Sequence, residues 1–352
     1  MVASSKNLES YSLKMKNEPF VKNDIKIAVV GGGTGSFMLL SALKNHTKQL
    51  AAIVNMVDDG GSTGVLRDEL GTLPPGDIRQ CLVALSDSPK IRDLFNYRFE
   101  EGTFGGHSFG NLLLTALEKV SGSFSGAVDT ASEILRVDGK VIPATLDNVR
   151  LKMEWPEASM TLHGERIIDA DYFKYDPRKA TLSLEPMAVA NPMALAAIEQ
   201  ADMVVIAPGD LYTSLGPLLV IDGISEALKK TKAKCVYVSN LVTKHGQTTN
   251  FTVSDHVDEI ERFVGANFLD YVLYNQQTPN KMIECKYKAE NAFLVKADKK
   301  KLANEHYLAI PGNFLGQMVA KDKSDILKVT RSLIRHDAKA VANALIALYE
   351  NK

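Results

Sequence analysis

The sequence predicts an α/β fold: a Rossmann-like, doubly wound, mostly parallel sheet with a small inserted antiparallel β segment. One observation behind this prediction is that short apolar runs rich in β-branched residues recur along the 352 residues, each followed by a loop and a helical pattern. The other is a change at about residues 122–190, where short alternating runs are separated by turn residues. We expect residues 25–352 to form a single domain containing this insertion, and residues 1–24 to be a flexible polar leader.

The first predicted strand, residues 25–30, ends at a glycine cluster. Glycines let a backbone approach a ligand closely, and the helix that follows presents the positive end of its dipole, so an anion fits here. A tight strand-to-helix turn without a ligand is the alternative. The Rossmann spacing G-x-G-x-x-G is incomplete because Ser36 takes the third glycine position. The candidate nucleotide-binding residues of this loop are Gly31, Gly32, Gly33, Thr34 and Gly35.

A second loop follows the predicted strand at residues 51–57 and is both acidic and rich in glycine. An acidic residue at this place commonly holds ribose hydroxyls. Adjacent aspartates can also bind Mg²⁺ through oxygen ligands, which makes Asp58 and Asp59 candidate metal ligands. A hairpin or simple turn is the alternative. The candidate nucleotide-binding residues here are Asp58, Asp59, Gly60, Gly61 and Ser62.

The third loop contains a stiff Pro-Pro-Gly turn at residues 74–76, after which Asp77 can cap a helix over residues 77–86. Arg79 then falls in the first helical turn, where a cation is unfavourable next to the helix dipole. A phosphate or carboxylate partner would explain Arg79, and so would a salt bridge to Asp77 or Glu69. We therefore include Asp77 and Arg79 among the candidate site residues.

Helical patterns continue at residues 90–100, 108–120 and about 126–137. His107 and Asn111 lie one turn apart at the start of the helix predicted at residues 108–120, so both could face one ligand. A cap on that helix is the alternative for His107.

The parallel pattern returns after the insertion, with strands predicted at residues 202–207, 234–240 and 270–274. Loops after parallel strands meet at one edge of the sheet, and ligands of doubly wound folds bind there. The loops near residues 31, 60 and 209 can therefore converge. Two further helices are predicted at about residues 322–333 and 338–349, and Asp337 is a suitable N-cap for the second.

Composition narrows the class of protein. The 41 basic and 42 acidic side chains give a net charge of −1, which argues against a nucleic-acid partner. The three cysteines are far apart, which indicates neither a disulfide framework nor a zinc site. No apolar run approaches the roughly 20 residues of a membrane span, and residues 1–24 lack the apolar segment of a signal peptide. We expect a cytoplasmic globular protein.

The motifs G-G-G-T-G, D-D-G-G-S-T-G-x-L-R-D-E and L-P-P-G-D-I-R resemble the CofD-like family, which contains 2-phospho-L-lactate transferases and the YvcK proteins described as gluconeogenesis factors. The YvcK branch is the closer match. Nearly everything after residue 25 is covered, because matching segments continue at residues 106–111, 190–192, 208–214, 254–257 and 335–337. The segment S-L-G-P-L-L at residues 214–219 differs from the motif usual in YvcK proteins and is more similar to the transferase branch.

The resemblance implies further contacts to a nucleotide. Tyr287 would stack on a base, and Arg335 would pair with phosphate. The other residues that it adds to the candidate site are Asn191, Pro208, Gly209, Asp210, Tyr212 and Thr213.

Asp210 stands where the YvcK loop usually has serine. A carboxylate facing a diphosphate at about 4 Å would cost roughly 4 kcal/mol at an effective dielectric near 20. Asp210 should therefore face sugar hydroxyls, share a Mg²⁺ with Asp58 or Asp59, or cap the following turn without meeting ligand.

The YvcK resemblance implies a regulatory protein that binds a nucleotide sugar such as UDP-N-acetylglucosamine without turnover, with effects on cell shape, cell-wall precursor supply and gluconeogenic growth. The alternative branch implies a transferase that moves a phospholactyl-like group from a nucleoside diphosphate donor to a deazaflavin. A nicotinamide oxidoreductase is the weakest of the three candidate functions, because the glycine spacing is incomplete.

The sequence shows no pair of a nucleophile and a base, so we assign no catalytic residue, although phosphoryl chemistry needs little beyond positioning. Homo-oligomers and regulatory protein partners stay open.

Overall fold

The computed structural model describes residues 24–281, 284–285, 288, 291–316 and 335–350. The predicted leader and the helix predicted at residues 322–333 lie outside this part, except for the last leader residue, Asp24. The strands of the described part are β1 (Ile27–Gly31), β2 (Leu50–Val54), β3 (Lys140–Pro143), β4 (Arg150–Trp155), β5 (Met160–His163), β6 (Thr181–Glu185), β7 (Met203–Ile206), β8 (Lys234–Val238), β9 (Tyr271–Asn275) and β10 (Leu308–Gly312).

Seven of these strands form one parallel sheet in the order β10-β9-β8-β7-β1-β2-β3. Every residue of β1 is buried, because helices cover both faces of the sheet. Ala28 and Val30 pack into the core on one face, while Ile27 and Val29 pack into the core on the other. The predicted doubly wound α/β fold is confirmed.

The α-helices of the described part are α1 (Gly33–Leu43), α2 (Gly61–Leu70), α3 (Gly76–Leu85), α4 (Pro89–Asn96), α5 (Phe109–Ser121), α6 (Phe124–Leu135), α7 (Glu165–Ala170), α8 (Pro192–Glu199), α9 (Gly216–Leu219), α10 (Ile224–Lys230) and α11 (Val253–Val264), with a short helix at Lys299–Leu302 and a C-terminal helix at Ala338–Glu350. Asp337 Oδ1 accepts a hydrogen bond from Ala340 N at 3.0 Å, so the predicted cap of the C-terminal helix is confirmed.

The antiparallel segment is a separate three-stranded sheet in the order β5-β4-β6. It is narrower than the predicted insertion at residues 122–190, because α6 and β3 from this stretch belong to the large sheet and its cover. Sequence patterns missed β3 and β10. Both are short and contain proline, Pro143 and Pro311, and they are the two outermost strands of the described sheet. No helix in the described ranges is long and apolar enough to cross a membrane.

Candidate functional site

The loops that follow β1 and β7 touch at the carboxyl edge of the parallel sheet. Gly33 begins α1 with a φ of +59°, in the left-handed region that favours glycine. A Cβ atom on Gly35 would overlap with the carbonyl oxygen of Pro208. Any side chain at this position would therefore push apart two of the loops that the sequence predicts to share a ligand.

The loop after the neighbouring strand β8 holds Gly209 in place through two hydrogen bonds. Asn240, two residues after β8, accepts a hydrogen bond from Gly209 N at 3.3 Å and donates one to its carbonyl oxygen at 2.8 Å. The loops after β1, β7 and β8 consequently form one connected framework.

Asp77 reaches from α3 to the N-terminus of α1. Its carboxylate accepts a hydrogen bond from Gly33 N, and a Cβ atom on Gly32 would overlap with one of its oxygens. The prediction that Asp77 caps its own helix is wrong, because α3 begins at Gly76 and Pro75 is its N-cap residue. Asp77 instead lies in the first turn of α3, which packs against α1. The carboxylate thus lies where a positive helix end would attract an anion.

The acidic loop after β2 leads directly into a helix. Asp58 accepts hydrogen bonds from Gly60 N at 3.0 Å and from the Thr63 hydroxyl. Gly61 and Ser62 form the first turn of α2, so the alternative of a simple hairpin is wrong. Sequence patterns missed this helix because its first residues are two glycines, a serine and a threonine.

Asp59 serves a different purpose from its neighbour. Its carboxylate accepts hydrogen bonds from Arg150 Nη1 at 3.1 Å, Glu165 N at 3.2 Å and Arg166 N at 2.7 Å. It thereby ties β4 and the start of α7 to the large sheet. Within the described ranges, no three His, Cys, Asp or Glu side chains are grouped as a metal site. The role of Asp58 and Asp59 as Mg²⁺ ligands stays a prediction.

Several carboxyl groups at this edge have raised pKa values. Burial, reinforced by the charge of Asp58, raises the pKa of Asp77 to about 7. Burial, followed by the charges of Asp58 and Asp169, raises the pKa of Glu165 to about 9. Burial also raises the pKa of Asp58. Bringing further negative charge to this edge is therefore costly unless protons or cations compensate.

Lys244 supplies a positive charge beside Asp210. Its Nζ lies 3.0 Å from Asp210 Oδ2 and is also paired with Asp169, to which the Thr213 hydroxyl donates at 3.2 Å. Asp210 occupies the N-cap position of the five-residue helix Leu211–Leu215 but makes no side-chain cap bond. The capping alternative for Asp210 is therefore wrong, and Lys244 offsets the repulsion expected for this carboxylate.

Two candidate residues lie inside the protein. Tyr212 is fully buried, and its hydroxyl donates to Glu259 Oε2 at 3.0 Å. Asn191 is also buried; it accepts from Met193 N at 3.0 Å as the cap of α8 and donates to the Pro143 carbonyl at 3.0 Å. A contact between the Tyr212 ring and a nucleotide would require the ring to leave the core. We therefore leave both side chains out of the proposed contacts.

His107 and Asn111 meet at the start of α2, as their spacing suggested. Ser62 Oγ lies 3.0 Å from His107 Nδ1 and accepts from Asn111 Nδ2 at 3.2 Å. The alternative that His107 caps α5 is wrong, because the Ser108 hydroxyl accepts from Asn111 N. His107 stays half-buried beside the acidic loop.

Arg79 is buried between three helices. Its Nε donates to Asn111 Oδ1 at 2.9 Å and its Nη1 to Asn96 Oδ1 at 2.7 Å. These described partners are neutral side-chain amides. The sequence had instead suggested an anion, either a ligand phosphate or carboxylate or the carboxylate of Asp77 or Glu69. The positive charge still lowers the pKa of Asp77, so Arg79 belongs to the electrostatics of the edge. Its contact with phosphate stays a prediction.

Arg335 lies near the carboxyl end of β8. Its carbonyl accepts from Gly316 N at 2.8 Å, and Nε2 of the adjacent His336 lies 3.0 Å from the carbonyl oxygen of Ser239. The structure thus brings the R-H-D segment to the same sheet edge. Tyr287 lies outside the described residues.

Sequence reasoning missed the residues that the insertion and the later loops bring to this edge. Glu165 and Asp169 are spaced one helical turn apart, a signal that was available but lay in a stretch without an apolar helical pattern. Asn55 donates to the Thr213 carbonyl at 3.3 Å, across 158 residues of chain, which no local pattern could reveal. The other missed residues are Arg150, Asn240 and Lys244.

Together, the doubly wound sheet and the loops that converge at its carboxyl edge define an α/β protein of the Rossmann-like class, whose members bind ligands at that edge. The model of the family 2-phospho-L-lactate transferase CofD matches residues 27–315. The chain belongs to the CofD family.

Relatives at high coverage carry a different name within this family. The chain is 39% identical over 326 residues to the gluconeogenesis factor of Bacillus subtilis, covering 92% of this chain and 98% of the relative. It is 38% identical to the gluconeogenesis factor of Listeria innocua, covering 93% of this chain and 96% of that one. The crystal structure of protein BH3568 from Bacillus halodurans, at 35% identity, has a TM-score of 0.83 over 92% of this chain and 100% of its own. The fold is therefore shared along most of the chain.

Replacing Glu165 with glutamine should stabilise the protein more at high pH than at low pH. Its folded pKa lies above the usual value of about 4, so the stability that comes from its bound proton is present below that value and is lost as pH rises toward about 9. The gain in Tm of Glu165→Gln over wild type should therefore be larger at pH 9 than at pH 5. Glu199→Gln, at the exposed end of α8, is the control, and equal gains at both pH values would contradict the assignment.

Replacing Asp59 with alanine should loosen the inserted segment. The change removes the acceptor of three hydrogen bonds, and leaving these donors unpaired should cost about 2 kcal/mol in urea unfolding. Hydrogen exchange should increase at residues 164–170. Asp68→Ala is the matched control, because Asp68 pairs with the same Arg150 but is 63% exposed and should cost less than about 1 kcal/mol. Equal effects of the two variants would contradict the role of Asp59.

Proposed function

We propose that this protein is a cytoplasmic regulator that binds a nucleoside diphosphate sugar, UDP-N-acetylglucosamine being the first candidate, at the carboxyl edge of the parallel sheet. The observation that carries the proposal is the close approach of Gly35 to the Pro208 carbonyl, which joins two loops around a glycine-lined cradle at the N-terminus of α1. Such a cradle suits a diphosphate. The names of the relatives support a role in gluconeogenic growth. Links to cell shape and cell-wall precursor supply follow from the same proposal.

Other side chains along this edge would bind different parts of the ligand. The pair of Asp210 and Lys244 offers both acceptors and donors, and the side chains of both are partly exposed, which suits the hydroxyl groups of ribose or sugar. Arg335, near the carboxyl end of β8, would pair with phosphate. Any Mg²⁺ that enters with the diphosphate would be bound mainly through the ligand, with Asp58 as the nearby carboxylate.

A transferase is the second candidate, and the match to the transferase-named family model favours it. It would use the same edge with a second substrate. The two candidates differ in turnover, because a regulator releases its ligand unchanged.

Gly33→Val should remove binding of UDP-N-acetylglucosamine. Wild type should bind with micromolar affinity, about −8 kcal/mol, by calorimetry. Valine at a φ of +59° strains the backbone and places a branched side chain where the diphosphate approaches, so affinity should fall at least about tenfold. Gly71→Val is the matched control, because Gly71 has a φ of +63° and open space around it at the end of α2. Equal losses in both variants would mean that strain alone, and not ligand contact, is responsible.

The ligand should remain intact. Wild-type protein incubated with UDP-N-acetylglucosamine and Mg²⁺, with and without a deazaflavin acceptor, should return unchanged nucleotide sugar by chromatography. Product in molar excess over the protein would refute the regulator and support the transferase. Calorimetry with GDP and UDP-glucose in the same buffer would show which base and sugar are preferred.

A further inference from the structure

The N-terminus of α1 already holds a carboxyl group that belongs to the protein. The helix has eleven residues, and its N-cap, Gly32, makes no side-chain cap bond. The carboxylate of Asp77 accepts the Gly33 N–H in its place. A carboxylate at this point stabilises the helix end through the same N–H groups and dipole that would bind a phosphate.

Two buried polar atoms beside this helix end point to a missing partner. Ser36 Oγ and Asn55 Oδ1 belong to side chains that are 1% and 3% exposed, and neither has a hydrogen-bond partner in the described part of the chain. Ser36 Oγ lies 2.8 Å from the position of a Cβ on Gly31, and Asn55 Cβ lies 3.2 Å from that position on Gly32. Ser36 Oγ therefore faces the glycine loop, and the Asn55 side chain begins beside it. Buried polar atoms normally find a partner, and a bound ligand is one source of it.

We propose that Asp77 is a specificity-determining residue of this site: its carboxylate holds the α1 N-terminus in the unliganded protein, and a phosphate group binds by taking over the Gly33 N–H against the charge of Asp77. The inference rests on the proposed function, since it assigns the diphosphate to this helix end. Asp77 thereby weakens the binding of simple phosphates and leaves the advantage to ligands that make further contacts along the edge.

The groups around Asp77 leave its charge poorly compensated. Asp58 faces it from the loop after β2 and adds a negative charge, whereas Glu165 on α7, with a pKa of about 9, is protonated at neutral pH and adds none. Arg79, on its own helix, is the one cation that acts on it among these groups, while Cys81 on the next turn is neutral and fully buried. A second anion at the α1 N-terminus therefore meets more negative than positive charge.

The test is the binding of inorganic pyrophosphate to Asp77→Asn. Asparagine has the shape of aspartate and its Oδ1 can still accept the Gly33 N–H, so the variant should fold and its Tm without ligand checks this. Calorimetry at pH 8, above the pKa of about 7 of Asp77, should show pyrophosphate affinity at least about tenfold higher in Asp77→Asn than in wild type, because one repulsive charge is gone. Asp258→Asn removes one negative charge from the exposed side of α11 and should change the affinity less than about twofold.

Unchanged or weaker pyrophosphate binding in Asp77→Asn would overturn the inference, because Asp77 would then not compete with the phosphate. An equal gain in Asp258→Asn would also overturn it, since only net charge would matter. UDP-N-acetylglucosamine is measured beside pyrophosphate. If neither protein binds the nucleotide sugar while Asp77→Asn gains pyrophosphate affinity, the proposed ligand is wrong and the role of Asp77 stands.

Discussion

The carboxyl edge of this protein depends on the absence of a side chain at Gly35. β1 and β7 are adjacent strands, and neighbouring strands lie about 4.8 Å apart, so the loops that leave them have little room to separate. The backbone of α1 fits against the Pro208 carbonyl only because Gly35 has no Cβ. The position of α1 in turn decides where Gly33 meets Asp77. One steric constraint therefore sets the shape of the cradle and the place of the carboxylate within it.

The inserted segment covers part of this edge and contributes acidic side chains to it. Its helix α7 is held at the start by the carboxylate of Asp59 and at the end by Gln247, whose Nε2 donates to the carbonyl oxygens of Ile168 and Asp169 at 2.7 and 3.1 Å. Held at both ends, α7 carries Glu165 and Asp169 toward the loops of the large sheet. Burial of the Glu165 carboxyl group raises the free-energy cost of its charge, so protonation and nearby cations are linked at this place.

The sequence was sufficient for features that depend on local pattern. Apolar β-branched runs predicted β1, β2, β7, β8 and β9, and the doubly wound rule then predicted which loops share an edge. Strands β3 and β10 were missed because proline breaks their already short patterns. Partners distant in sequence were out of reach: the hydrogen bond of Asp77 to α1 and the salt bridge of Lys244 to Asp210 exist only after the sheet has formed. A capping residue and a cross-helix anion have the same sequence signature, which is why Asp77 was assigned to the wrong helix end.

The prolines of the two outermost strands affect how this protein meets other copies of itself. A strand at the rim of a sheet exposes unpaired N–H and C=O groups that another chain can extend into a longer sheet. Pro143 ends β3 and Pro311 lies within β10, and neither has an N–H to offer to an incoming strand. Both rims of the described sheet are thus poor templates for intermolecular strand addition. The two prolines that interrupt the strand patterns in the sequence therefore also disfavour aggregation of the folded chain through the edges of its sheet.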